Sequence, residues 1–403
     1  MTPDADSFDL APGFQAAAVA CGLKPGGALD LALVSAARPC AAAGVFTTNR
    51  VKAAPVLYDQ EVLAGDAAGI RGVIANAGCA NACTGARGMA DARRMAALTG
   101  RALGCGEHQV LVLSTGVIGR PLDMEKLARG IAAVASPAAV RGGAAAARAI
   151  LTTDTRPKTA AVDLPVGGRR IAIRGFAKGA GMIHPDLATM LAVVTTDAAL
   201  APEALQEALR AAVARSFNRV SVDGDMSTND TVLLLASGTS GVALDGAGRA
   251  AFTAALTDAC ASLAKQIARD GEGATRLVEI RVTGARDEAE AHTVADSIAR
   301  SPLVKTAIHG GDPNWGRVLA AAGYSGAAID PDRLTLAFGA SGETLTLVRD
   351  GLPVAFDEHA ASALLRCDPV LVRLDLGLGG GEATVWTCDL SAEYVAINAH
   401  YTT

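Results

Sequence analysis

Aromatic residues make up only 3% of this 403-residue chain, so its core must be built from Ala, Val, Leu and Ile rather than from rings. A chain of this length supports two or three domains at roughly 100–200 residues each. Long hydrophobic runs are also missing. No uninterrupted apolar stretch reaches the roughly 18 residues that a membrane-spanning helix needs. The first residues, MTPDADSFDL, have neither a basic nor an apolar segment, so they do not read as a secretory signal. Positive charge is not in excess: the net charge is −5 and the pI about 5.7. That argues against nucleic acid as a partner, while a few local Lys and Arg residues still suffice for a small anion. The eight cysteines are scattered, and the one close pair, Cys79 and Cys83, lacks the ligands that would complete a zinc site. The expectation is a cytoplasmic protein with reduced thiols, no metal, no membrane association and no bound cofactor.

The usual catalytic signatures are absent as well. The chain contains no HExxH and no GxSxG placed between a strand and a helix. "GLGGGE" at Gly377–Glu382 lacks the last small residue of a dinucleotide loop, and no Lys follows a suitable glycine run. "DGDMSTNDT" has alternating oxygen donors but no glycine at the turn and no closing acid, so it fails as a calcium loop. The six histidines are dispersed, and His184 reads as a solvated loop residue. What remains is chemistry without metal, nucleotide or a histidine triad.

Against these absences stand alternating helical and strand-like stretches, the pattern of an α/β protein. Helices are expected over Ala201–Phe217, Gly248–Asp270 and Asp287–Arg300. Strands are expected at Val110–Leu113, Ile171–Ile173, Met190–Val194, Thr231–Leu235 and Leu277–Val282, with a hairpin within Leu334–Val354. Four polar, glycine-bearing segments interrupt this pattern: Asn76–Gly88, Ser114–Gly119, Ser221–Thr231 and His309–Arg317. Each adjoins a strand, where loops on a rigid scaffold commonly assemble a site. Each taken alone is also compatible with a plain turn.

One junction stands out. In "GMIHPDLATMLAVVTTD" a Pro- and Asp-bearing loop runs through Ala188-Thr189 straight into an apolar strand. Cleavage of the Ala188–Thr189 bond would make Thr189 an amino terminus, whose hydroxyl is a nucleophile and whose α-amine, with a pKa near about 8, is its own base. The cut itself follows if Thr189 Oγ1 attacks the Ala188 carbonyl and water opens the resulting ester. Both steps need donors at an oxyanion. "STGVIG" offers a hydroxyl and a backbone N–H on neighbouring residues.

Taken together, "STGVIG", "TTDTRPK", "GFAKGAGMIHPDLATMLAVVTTDA", "SVDGDMSTNDT", "DGEGATR", "LVKTAIHGGDPNWGR" and the terminal "YVAINAHYTT" resemble the ornithine acetyltransferase family, also called bifunctional glutamate N-acetyltransferases. The resemblance runs from "FQAAAVACGLKP" to the last residue. It implies a self-cleaving amino-terminal-nucleophile enzyme of mixed α/β fold in two domains. Residues 1–188 would form an α chain and 189–403 a β chain, assembled as a heterotetramer. The implied reaction is ping-pong acetyl transfer from N-acetylornithine to glutamate in arginine biosynthesis, with acetyl-CoA left open as a second donor.

The resemblance places the nucleophile at Thr189, cleavage after Ala188, and oxyanion donors at Thr115 and Gly116. Substrate contacts fall on Thr152, Lys178, Thr189, Glu272, Asn398 and Thr403. A Lys ammonium suits a substrate α-carboxylate, and Glu272 suits the ornithine side-chain ammonium. Thr152 is also readable as the cap or end of the preceding Ala-rich helix, and Asn398 as a plain turn residue. His184 and Asp186 depart from the more neutral sequence expected before the cleavage motif, which bears on cleavage rate rather than on the nucleophile. The competing reading is an amino-terminal-nucleophile aminopeptidase or amidase, of distantly similar fold.

Overall fold

The computed structural model describes residues 7–184 and 190–400. Those residues divide into two compact units: the first holds the chain up to Asn218 together with Met226–Leu263, and the second holds Arg219–Asp225 and the chain from Ala264.

The first unit is built on strands β1 (Phe14–Val19), β2 (Leu31–Phe46), β3 (Ile70–Cys79), β4 (Val110–Val117), β5 (Val140–Arg141), β6 (Lys158–Val166), β7 (Arg169–Lys178), β8 (Leu191–Thr196) and β9 (Thr231–Ala236). Their order is β4-β3-β2-β9-β8-β7-β6, with β1 against the first half of β2 and β5 against β1. Strand β2 serves two ladders. Leu31–Ser35 pair with β3, and Ala41–Phe46 pair with β9. The register breaks between Ser35 and Cys40, a stretch that contains Pro39, which has no N–H to give to a ladder. Beyond the break, the Gln206 side chain brackets Gly44, accepting its N–H at 3.1 Å and donating to its carbonyl at 3.0 Å.

Helices α1 (Ala54–Gly65), α2 (Gly85–Leu103), α3 (Met124–Val134), α4 (Gly143–Ala149), α5 (Pro202–Ala214) and the start of α6 (Gly246–Arg269) accompany this sheet. Their buried faces are rich in Ala and Leu, as the low aromatic content requires, and α1 to α4 share one core with β1 to β4. Helix α2 ends on Gly104 at φ +69°, the left-handed conformation that closes a helix without a Cβ penalty.

The second unit has a sheet of order β13-β12-β11-β14-β10-β15. Its strands are β10 (Leu277–Ala285), β11 (Thr335–Ala340), β12 (Glu343–Arg349), β13 (Leu352–Pro353), β14 (Val370–Asp375) and β15 (Gly381–Cys388). Helices α7 (Glu288–Arg300), α8 (Pro302–Gly310), α9 (Trp315–Gly323), α10 (Glu358–Leu365) and α11 (Ala392–His400) complete it. Asp287 caps α7 by accepting from the Glu290 N–H. Val278, Ile280, Val282, Val370, Val372 and Leu374 are buried in its core.

Every helix and strand expected from the sequence is present, as is the hairpin, formed by β11 and β12. Their boundaries shift: the strand expected at Ile171–Ile173 runs over Arg169–Lys178, that at Leu277–Val282 extends to Ala285, and the helix expected over Ala201–Phe217 stops at Ala214. Ser114, Thr115 and Gly116 do not follow the strand but belong to β4 itself. Among the described residues no helix is long and apolar enough to cross a membrane.

One buried acid gives the fold a pH signature. Asp59 on α1 is fully buried and accepts the Val112 N–H of the edge strand β4 at 2.8 Å, while its Oδ2 has no partner among the described residues. Burial pushes its carboxyl well above the usual range. A carboxyl raised in the folded state withdraws stability as pH climbs from about 4 through that raised value. Asp59→Asn keeps an acceptor for Val112 and does not titrate. In urea denaturation from pH 4 to pH 8, wild type should therefore lose stability relative to Asp59→Asn, and a pH-independent difference would refute the assignment.

Candidate active site

In the first unit three of the four polar segments meet. Strands β3 and β4 run parallel with Gly78 opposite Gly116, and the register shifts at Cys79. Gly116 has φ +126°, and a Cβ there would lie 2.6 Å from the Cys79 nitrogen. Gly78, at φ +114°, has the Leu23 carbonyl oxygen 3.0 Å from where its own Cβ would stand. Strand β4 approaches β3 this closely only because Gly116 carries no side chain, and the bare Gly78 in turn admits Leu23. The neighbouring Ser114 hydroxyl donates to Asn76 Oδ1 at 2.6 Å, and Asn76 Nδ2 donates to the Cys79 carbonyl at 2.9 Å. From the third segment, Asn229 Nδ2 donates to the carbonyls of Ala80 at 2.6 Å and Ser114 at 2.9 Å. The Thr115 side chain is buried, and its hydroxyl makes no hydrogen bond among the described residues.

At the end of β7, Lys178 is buried and stands opposite Leu191, the first residue of β8. Its ammonium is 3.7 Å from Asp154 Oδ2. The fully buried Lys158 ammonium donates to Asp154 Oδ1, which also accepts the Gly179 N–H at 2.6 Å, and the Thr152 N–H reaches Oδ2 at 3.0 Å. Burial alone would raise the Asp154 carboxyl, but the two ammonium groups and these hydrogen bonds overrule it and hold it well below the usual carboxylate range. Lys24, half-buried, donates to the carbonyls of Ala149 at 3.1 Å and Leu151 at 2.9 Å. Desolvation lowers its pKa, while Asp30 and Asp154 counter the drop. Asp30 itself is buried and gathers the N–H groups of Cys21, Gly22, Leu23 and Lys24. The ammonium groups of Lys24, Lys158 and Lys178 thus lie around the Asp154 carboxylate, with the Asp30 carboxyl also beside Lys24, a setting that still favours an anion.

Beside this cluster the Met190 N–H donates to Asp230 Oδ1 at 2.9 Å, and the Met190 carbonyl accepts from the Thr231 N–H at 3.1 Å. Asp230 is fully buried, and its carbonyl accepts the Thr47 N–H at 2.9 Å. Burial pushes the Asp230 carboxyl well above the usual range, against the pull of the Met190 N–H and of Lys178.

In the second unit Glu272 is buried in the loop after α6, and Asn398 Nδ2 donates to its Oε2 at 2.8 Å. The next residue, Gly273, has φ +70°, and a Cβ there would lie 2.5 Å from the Tyr394 nitrogen, so α11 seats on a bare backbone. The Tyr394 hydroxyl is pushed up, first by burial and then by Asp223, Glu272 and Asp225. Asp389 accepts the N–H groups of Thr275 at 2.7 Å and Arg276 at 2.9 Å, and pairs with His309 Nδ1 at 2.7 Å. Arg276 in turn donates to the carbonyls of Ile308 and His309 at 3.0 Å. The fourth polar segment therefore braces the loop that carries Glu272.

The sequence model of the ArgJ family matches residues 15–403. The chain belongs to the ArgJ family. It is 51% identical over 396 residues to an "Arginine biosynthesis bifunctional protein ArgJ" of Symbiobacterium thermophilum, covering 97% of each chain. A protein of the same name in Geobacter sulfurreducens is 49% identical over 400 residues, covering 97% of this chain and 99% of the other. A crystal structure named as arginine biosynthesis bifunctional protein ArgJ from Bacillus halodurans is 46% identical, with a TM-score of 0.50. It is matched over 98% of its length yet spans 52% of this chain.

Against this ArgJ background, the site residues expected from sequence fall into groups. Thr115 and Gly116 lie side by side on β4, and Thr152 and Lys178 share Asp154. Glu272 and Asn398 are hydrogen-bonded in the second unit. Two alternative readings are corrected. Asn398 is not a turn residue, because it lies on α11. Thr152 does not end the helix before it, because α4 stops at Ala149 with Ile150 as its cap. His184 is half-buried rather than solvated. Ala188, Thr189 and Thr403 lie outside the described residues. Sequence reasoning missed Asp154, Lys158, Asn229 and Asp230. Asp154 and Lys158 lie in "TTDTRPK" and Asn229 and Asp230 in "SVDGDMSTNDT", but nothing in either motif marks their partners.

Asp154→Asn would leave two buried ammonium groups without their carboxylate. Breaking such a pair costs about 3–5 kcal/mol. A carboxyl depressed in the folded state stabilises above its ordinary range, about 4, and loses that contribution as pH falls. Denaturant unfolding should show the full deficit at pH 7 and a shrinking one below about pH 4. A deficit of about 0–1 kcal/mol, the size of a surface pair, would contradict this account.

Proposed function

We propose that this chain is an acyltransferase that moves acetyl from N-acetylornithine to glutamate through an ester on Thr189. The observation that carries the reading is the position of Lys178, directly across the ladder from Leu191 and grouped with Thr152 around Asp154. The cation suited to a substrate α-carboxylate thus stands on the strand beside the one that begins two residues after Thr189.

Self-cleavage between Ala188 and Thr189 frees the α-amine. That amine takes the proton from Thr189 Oγ1 as the oxygen attacks the acetyl carbonyl, and the proton passes to ornithine as its C–N bond breaks. Glutamate's amine then attacks the ester and regenerates the hydroxyl. Thr115 and the Gly116 N–H hold the oxyanion in each step, a role in which one donor is typically worth about 10²–10³ in rate. Thr152, Lys178, Asn398 and Thr403 bind the substrates, and Glu272 takes the ornithine side-chain ammonium. Acetyl-CoA as a second donor would make the enzyme bifunctional.

The cut pieces, residues 1–188 and 189–403, remain together as a cytoplasmic heterotetramer. Strand β8 is buried along its whole length between β7 of the first piece and β9 of the second, which supports association after cleavage.

Purified protein should run as two chains on a denaturing gel, and Thr189→Ala as one inactive chain. After quenching with N-acetylornithine alone, mass spectrometry should find a single acetyl on the 189–403 chain. Labelling only by acetyl-CoA, acetyl on another residue, or hydrolysis of amino-acid amides in place of transfer would each defeat the reading.

A further inference from the structure

Asn229 and Asp230 are neighbours in the chain, and each is tied to a different part of the reaction. The Asn229 amide donates both of its hydrogens, to the carbonyls of Ala80 and Ser114. Its Oδ1 accepts from the Thr228 hydroxyl at 2.7 Å, so the side chain is fully engaged. Ser114 is the residue before Thr115. The Asp230 carboxyl only accepts, taking the N–H of Met190, the residue after Thr189. Both side chains are buried, and the backbone of Asp230 is itself fixed by the Thr47 N–H.

We propose that Asn229 and Asp230 are a pair of positioning residues that set the separation between the Thr115–Gly116 oxyanion donors and residue 189, in chain cleavage and in acetyl transfer alike. The inference rests on the proposed self-cleavage for its first half and on the acetyl-transfer reading for its second. The Asn229 bond to the Ser114 carbonyl and the Asp230 bond from the Met190 N–H each land on a main-chain atom one residue away from a reacting group, so a slip at either is passed on through a single peptide unit, while the bond to Ala80 ties Asn229 to the segment after β3. A misplacement of about 1 Å at a reacting centre costs on the order of 10²-fold in rate. Burial keeps the Asp230 carboxyl above its usual range, so a neutral amide is a fair replacement for it.

The opposite hydrogen-bond chemistry of the two residues provides the test. Asn229→Asp is isosteric but turns two donors into acceptors facing two carbonyls, whereas Asp230→Asn is isosteric and keeps an acceptor for Met190. Cleavage is followed on denaturing gels after synthesis, and kcat and KM are measured on the cut protein with N-acetylornithine and glutamate. Asn229→Asp and Asn229→Ala should slow cleavage and lower kcat by about 10²-fold with KM nearly unchanged. Asp230→Ala should do the same, and Asp230→Asn should recover most of the loss.

Wild-type rates in both Asn229 variants would overturn the proposal. So would a loss confined to KM, or failure of both Asn229 variants to fold. Equal damage from Asp230→Asn and Asp230→Ala would assign the Asp230 proton a chemical task instead and overturn it too. Cleavage needs no acetyl donor. A wild type that cuts itself but transfers no acetyl from N-acetylornithine would therefore sink the substrate assignment, while the cleavage measurements still judged the pair.

Discussion

The site depends on a register. Phe46 pairs with Thr231, Thr231 with Leu191, and Leu191 with Lys178, so four strands of the first unit begin or end on one row. The residues just past that row, or at its end, are Thr47, Asp230, Met190 and Lys178, and Lys158 starts the next strand beside Ala177. No loop has to reach far to gather them. Strand pairing has a period of two, so a slip of one residue in any ladder would turn Lys178 or Met190 to the other face of the sheet. Apolar burial on both sides of β8 forbids that slip. The packing of Leu191, Val193, Leu233 and Leu235 in the core is thereby the cause of the polar geometry at the strand ends.

That polar geometry is electrostatically demanding. Two buried lysines flank Asp154, while Asp230, buried as deeply and close enough to feel Lys178, is held toward its neutral form. The difference lies in hydrogen bonds and distance. Asp154 has two ammonium groups and two N–H donors, whereas one oxygen of Asp230 has no partner among the described residues. Two carboxyls in one neighbourhood with opposite charge preferences are a common mark of a site shaped for chemistry.

Much of this was legible in the sequence. The apolar runs at Val110–Leu113 and Thr231–Leu235 announced strands, and the acids early in Ala201–Phe217 announced a helix. The core is mostly Ala, Val, Leu and Ile, as composition required, although the few aromatics, among them Tyr58, Phe176 and Phe338, are buried within it. The end of β4 was not legible. Ser-Thr-Gly has the composition of a turn, and Gly116 remains in the ladder only because it has no Cβ to collide with the Gly78–Cys79 backbone opposite. Strand β2 was also hidden, because its Ala-, Gly- and Pro-bearing sequence shows no alternation and its two halves answer to different partners. Lys178 could be nominated as a cation for a carboxylate, but the acid that holds it lies 24 positions earlier in the chain. The partners of Asn229 lie 149 and 115 positions away, and no local pattern encodes such a distance. Asn398 carried its role only through resemblance, and its place on α11 opposite Glu272 gives that role a physical footing.

The position of β8 bears on the protein's history as well as its chemistry. It lies in mid-sheet, with β7 on one side and β9 on the other, and both of its faces are buried. A strand in such a place cannot be added late at an open edge, so the fold must form before any break opens the connection from β7 to β8. Once that connection is open, the denatured state consists of two separate molecules. Recovering the fold then means threading one between strands of the other, with apolar surfaces exposed to aggregation meanwhile. An intact chain folds in a unimolecular step, whereas an opened one depends on concentration and on a slow encounter. Its persistence would then be governed by how slowly it unfolds rather than by an equilibrium it can revisit.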